Sequence, residues 1–189
     1  MKDYGLLVSF VGGDGGSWSV YRIVSVTGPT LAAVPRLAVV EGRDAQPLFP
    51  AAAWVLRGRI EEDHYLRLPE RVALDEVSPP LGRSESTRAA LIPIRKTHAW
   101  WSLPAGRRRE IFEERSHHLA RSLRYLPRVA RRLHHGHDLD EPFDFLTWFE
   151  YAPRDEPAFD ELVRELRATE EWTYVDREVD IRLHRDVGT

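Results

Sequence analysis

Residues 115–142, RSHHLARSLRYLPRVARRLHHGHDLDEP, hold five of the chain's eight histidines and six arginines, in a sequence whose net charge is only −3. Imidazoles at that density can bind a metal, and guanidiniums can hold anions or a nucleic-acid backbone. Such a stretch can equally be a solvated surface. The chain has no cysteine, so disulfides, thiolate metal sites, thiol nucleophiles and covalent c-type haem attachment are excluded, and any metal must rest on histidine or oxygen. His117, His118, His134, His135 and His137 are zinc ligands by type, but no tight spacing of the HExxH kind joins them. A nucleic-acid face is disfavoured because the arginines alternate with Leu, Tyr, Pro and Val, and acidic DLDEP follows at once.

The elements that carry these residues decide which of them turn inward. From Ser102, a candidate cap, with Pro104 in the first turn, the apolar spacing predicts one helix to about Leu126. At 100° per residue Ile111, Phe112, Leu119, Leu123 and Leu126 share a stripe. His118 falls at the edge of that stripe and His117 almost opposite its centre. Small Ser122, one turn on, leaves room for a flat group beside His118. The spacing alone is also that of a surface histidine pair. RVARRLHH reads as a strand with Val129, Arg131 and Leu133 on one face and Arg128, Ala130, Arg132 and His134 on the other. A guanidinium between apolar neighbours needs a carboxylate, an anion or a water-filled pocket, so Arg131 is either half of an internal ion pair or an anion site. His117, His134, His135 and His137 are expected at the surface.

Around them the order is clear. AALIPIRK (89–96) reads as a strand whose Pro93 favours an edge or a bulge. The helix, the Arg131 strand, FDFLTWFEY (143–151), an amphipathic helix in DEPAFDELVRELRAT and a final strand in TYVDREVDIRLHR complete β-α-β-β-α-β. This is the ferredoxin-like order, with an antiparallel sheet and both helices on one face. The first half offers four strand candidates, YGLLVSFV, VYRIVSV, RLAVVEG and AAAWVLRGRI, and the turn-rich EVSPPLGRSEST marks the boundary. Two halves, 1–88 and 89–189, are expected. With 42% hydrophobic and 30% charged residues, the composition is that of a globular protein. No membrane span or signal peptide is read, and the cytoplasm is the expected address.

ALIPIRKTHAWWSL, IFEERSHHLARSLRYLPRVARRLHH, LDEPFDFLTWFEY and LRATEEWTYVDREVDIRL together resemble the chlorite dismutase family of haem b enzymes, in particular its short-chain, dimeric bacterial type. A weaker likeness runs through AWVLRGRIEEDHYL (53–66). The resemblance implies an α+β fold of two ferredoxin-like halves, a dimeric α+β barrel with helices outside its antiparallel sheets, the first half being trimmed. It implies haem b and a homodimer, with no nucleic-acid or membrane partner. Carried over, the proximal iron ligand falls on His118 and the distal arginine on Arg131. The carboxylate partner of the proximal imidazole falls on Glu171, with adjacent Glu170 as the alternative. Residues lining the haem or meeting its propionates fall on Tyr65, Lys96, Trp100 and Trp101. The implied reaction converts chlorite, a small anion, into chloride and dioxygen. A coproheme decarboxylase or haem-dependent peroxidase on the same fold is the competing enzyme reading, disfavoured by an arginine at 131. A non-catalytic haem-binding or haem-sensing protein would keep His118 and have no need of Arg131.

Overall fold

A computed structural model of the chain describes residues 5–42, 45, 47–60 and 66–186. Eight strands, β1 (Leu7–Gly13), β2 (Trp18–Thr27), β3 (Arg36–Glu41), β4 (Trp54–Ile60), β5 (Arg88–Lys96), β6 (Val129–His135), β7 (Phe145–Tyr151) and β8 (Val175–Arg185), close into one antiparallel barrel in the order β1-β3-β2-β8-β5-β7-β6-β4. Period-two alternation sends one set of side chains inside. Phe10, Leu37, Leu56, Leu91, Leu146, Trp148, Ile181 and Leu183 fill the interior as a single cluster. Each such side chain contributes roughly 1.5–3 kcal/mol on leaving water. Gly58 lets β4 approach β6 here, since a Cβ at that position would stand 2.7 Å from the His134 Cβ.

The expectation of two ferredoxin-like halves is met in strand order but not as two separate sheets. Strands run 4-1-3-2 within each half, but the halves do not stand as separate sheets, because β2 pairs with β8 and β4 with β6 to close one barrel. Closure satisfies backbone groups that two open sheets would leave on four edges. Only the second half carries helices between its strands; among the described residues the first half joins its four strands by turns and loops. Pro93 is likewise not on an edge, for β5 is paired on both sides. The proline, which cannot donate, falls where the ladder to β8 lapses between Leu91–Ile181 and Ile94–Glu178.

A helical layer covers the outer face of the second half. There α5 (Glu156–Arg167) buries Phe159, Leu162, Val163 and Leu166 at helical spacing against Ile92, Ile94, Phe149 and Tyr151. Buried charges fasten it: Arg167 bridges Glu178 and Asp180 at 2.7 and 3.0 Å, and Arg182 joins Asp180 to Asp160. The single helix expected from Ser102 is instead broken into α2 (His98–Trp101), which begins earlier, α3 (Ala105–Arg109), a π-helical turn at Glu110–Arg115 and α4 (His118–Leu123). At the last break His117 adopts φ 52°, which costs a residue with a Cβ about 1–2 kcal/mol. Glu113 offsets this by accepting the backbone N–H of Leu119 at 2.7 Å and of Ala120 at 3.3 Å. A further helix, α1 (Leu68–Val77), lies in a stretch where none was anticipated. Its start is legible in retrospect, since Pro69 stands in the first turn and Glu70 accepts the backbone N–H of Arg67. Among the described residues no helix is long and apolar enough to cross a membrane.

Candidate active site

Between the outer face of the second half and its helices lies a cavity of about 90 Å³ that His118, Arg131, Lys96 and Glu171 all line. Its remaining wall is mostly apolar, with Ile92, Ile94, Phe112, Val129, Phe149 and Leu162 among the lining residues. His118 enters from the first turn of α4 and is fixed on several sides. Its Nδ1 lies 2.7 Å from Glu171 Oε2, and its ring stacks on Phe112 at 4.5 Å and, more distantly, on Trp172 at 6.2 Å. The carboxylate accepts the Nδ1 proton, which leaves Nε2 as the nitrogen not engaged by Glu171.

Glu171 stands on a 3-10 turn, Glu170–Tyr174, ahead of β8. Its backbone N–H donates to the buried Ser116 hydroxyl at 3.0 Å, and its other oxygen takes the Lys96 ammonium at 2.8 Å. Burial by itself would push this carboxyl up. The charges of Lys96 and His118 and their hydrogen bonds outweigh burial and hold it down, at about 2. Adjacent Glu170 points away to Arg115, at 2.9 Å, which resolves the choice between the two glutamates in favour of Glu171 as the residue that meets the imidazole.

A larger chamber of about 430 Å³ adjoins the first, sharing His135 and Phe145 with it. Trp101 lines this chamber, stacked on His137 with centroids 3.8 Å apart. Buried Asp144 accepts from Trp101 Nε1 at 3.2 Å and from the Lys96 backbone N–H at 2.6 Å, and it holds His137 Nδ1 at 2.7 Å.

A protein-family model for chlorite dismutase matches residues 65–186, well over half of the chain. The chain belongs to the chlorite dismutase family. A dimeric chlorite dismutase from Nitrobacter winogradskyi is 52% identical, with a TM-score of 0.88 over 94% of this chain and 99% of that one. A chlorite dismutase from Ideonella dechloratans is 35% identical over 86 residues, which is 46% of this chain but only 28% of that longer relative. A variant chlorite dismutase from Candidatus Nitrospira defluvii, in complex with cyanide, shares the fold at a TM-score of 0.71 with 18% identity.

Within this chlorite dismutase-family chain, His118, Arg131, Lys96 and Glu171 line one cavity. Tyr65 lies outside the described residues. Lys96 was expected at propionate oxygens, but its Nζ is buried on Glu171 and lies 4.5 Å from the centre of the Trp100 ring. Its attraction to a second buried charge, and to the indole face, wins over exposure. Trp100 is fully buried beneath it, packed on Tyr174, while half-buried Trp101 fronts the larger chamber.

Two histidines expected at the surface, His134 and His135, are not free on it. His134 is 2% exposed inside the barrel, its ring against Phe10 at 5.1 Å and its Nδ1 on the Leu146 carbonyl at 2.9 Å. Because the barrel closes, the second face of β6 looks into a core and not into water. His135 lines both cavities, whereas His137 is exposed, as expected, with its ring held by Asp144. His117 is exposed, as expected. Ser116, Trp172 and Asp144 went unnoticed in the sequence. Trp172 had one signal, its place beside Glu171; the other two carry none.

Proposed function

We propose that the chain is a haem b-dependent chlorite dismutase that converts chlorite into chloride and dioxygen. The observation that carries this reading is the pairing of a carboxylate-anchored imidazole, His118 on Glu171 at 2.7 Å, with a guanidinium, Arg131, at the same apolar-walled cavity. The donor set fits haem: a carboxylate-anchored imidazole, His118, with its second nitrogen uncommitted, aromatic and aliphatic walls, and no rival metal-binding cluster among the described residues. Iron in a bound haem would accept an oxygen atom from the substrate.

Each side chain then has a defined task. Glu171 holds the Nδ1 proton of His118 and so fixes the tautomer, the ring plane and the electron donation of the ligating nitrogen. Lys96 keeps Glu171 ionised by giving its second oxygen a cation, so the carboxylate does not take the imidazole proton. Arg131 supplies a permanent positive charge and planar donors, which suit a small oxyanion and retain its fragment until the oxygen–oxygen bond is made. Trp100 packs against Lys96, Trp101 fronts the adjoining chamber, and Tyr65 is assigned to a propionate. The chain is read as a homodimer on its likeness to the dimeric Nitrobacter winogradskyi protein. Division into ferredoxin-like halves at 1–88 and 89–189 is supported by the 4-1-3-2 strand order on each side.

The test is direct. The chain, reconstituted with haem and mixed with chlorite, should release dioxygen at an electrode well above a haem-only control. No excess oxygen would reject the reading and favour a haem-binding protein without this activity. Arg131→Ala should retain the Soret band while turning over more slowly and bleaching sooner.

A further inference from the structure

The larger chamber beside the site is lined by more cations than acids among the described residues. Arg67, Arg108 and Arg109 line it with His135 and His137, and Asp138 is the single acid among its described lining residues. Two of the arginines are engaged: Arg109 on Glu70 at 2.5 Å and Arg67 on Glu114 at 3.5 Å. Arg108 is not. Its Nε is buried without a hydrogen-bond partner among the described residues, and its guanidinium lies 5.3 Å from the centre of the Trp101 ring. A buried donor left unmade is costly, and a planar guanidinium backed by an indole is the arrangement that accepts a carboxylate side-on. On the same indole His137 is stacked nearly parallel, at 15°, with Nδ1 committed to Asp144. Its Nε2 is therefore the nitrogen left for a ligand.

We infer that this chamber, built on the Arg108–Trp101–His137 stack, is a carboxylate- or oxyanion-binding subsite. The inference rests on reading the neighbouring cavity as a haem pocket, because the two spaces meet at His135 and Phe145. Two sources share the chemistry: the carboxylate side chains of the bound tetrapyrrole, and a free small oxyanion on its way to Arg131. Asp144 is the positioning residue, since it holds Trp101, His137 and the Lys96 backbone together and so couples the chamber to the Lys96–Glu171–His118 chain.

Titration of the full chain, freed of haem, separates the sources. Haem b and its dimethyl ester, in which both carboxylates are blocked, are added to the wild-type chain and to Arg108→Gln and Arg108→Lys, and the Soret change is followed. Recognition of the tetrapyrrole carboxylates predicts that the wild type prefers the free acid by about tenfold, the worth of one hydrogen bond to a charged group. Arg108→Gln should lose most of that preference, and Arg108→Lys should keep part of it. If acid and ester bind the wild type alike, a severalfold rise in chlorite KM for Arg108→Gln, with kcat kept and the difference fading at high salt, assigns the chamber to a free oxyanion. Arg108→Gln matching the wild type in both the acid-to-ester ratio and KM overturns the inference while leaving the haem reading intact. Failure of the wild type to bind either tetrapyrrole removes the haem reading, and the subsite falls with it.

Discussion

Glu171 is a fully enclosed carboxylate kept ionised by two partners, and its value to the site is its charge. Glu171→Gln keeps the shape and one hydrogen bond but removes the charge that makes His118 a strong donor. The expected result is a haem complex that still forms but whose ferric state is less favoured, seen as a higher midpoint potential in a redox titration. An unchanged potential would separate Glu171 from any tuning role. His134 offers the opposite case, a buried base kept neutral. Burial pushes its imidazole down to about 4, opposed in part by its bond to the Leu146 carbonyl. The unfolded chain takes up this proton near pH 6.5 and the folded one only near 4, so folding loses stability as pH falls through that window, by on the order of 3 kcal/mol in total. Urea unfolding of the wild type and His134→Gln at pH 7 and pH 4.5 should give a gap between them that narrows at the lower pH. These two residues also mark what was legible. Arg131 could be placed because its neighbours on one face of the strand, Val129 and Leu133, are apolar. His134 shares its face with Arg128 and Arg132, of which Arg132 reaches the rim to pair with Glu41 at 2.7 Å, so the same alternation suggested water.

At the scale of elements, the decisive feature is the break just before His118. The helical projection that put His118 inward assumed an unbroken helix, and nothing at Ser116–His117, neither glycine nor proline, marks the interruption in the sequence. The assignment held because α4 restarts at His118 and presents its own first turn to the cavity. Glu113 is what allows the restart. Replacing Glu113 with Ala should cost about 1 kcal/mol, the typical worth of a capping side chain, and should speed haem loss as α4 frays. Replacing His117 with Gly should do the reverse, gaining about 1 kcal/mol by removing the Cβ from a left-handed backbone. Chemical denaturation of both variants measures the pair, and a destabilised His117→Gly would show that the side chain contributes more than its conformation costs.

For the molecule as a whole, eight strand candidates could be named from their residues, and their order within each half follows a known arrangement. Closure could not be read from the residues themselves, and only the family resemblance implied a barrel, because which edges meet is decided across more than a hundred residues, as where Arg22 faces Arg182. One seam needs Gly58, whose missing side chain lets β4 lie against His134. Gly58→Ala should cost about 1–3 kcal/mol through overpacking, read as a lower denaturation midpoint with the slope preserved. A neutral outcome would mean that the seam has slack. The same closure gives β6 two unrelated audiences: Arg131, Leu133 and His135 look out to the cavities, and His134 looks into the core. Along that strand, alternate letters answer to different selective pressures. Substrate preference can therefore drift through the outward letters over generations while the inward ones stay under constraint from folding, with neither history written over the other.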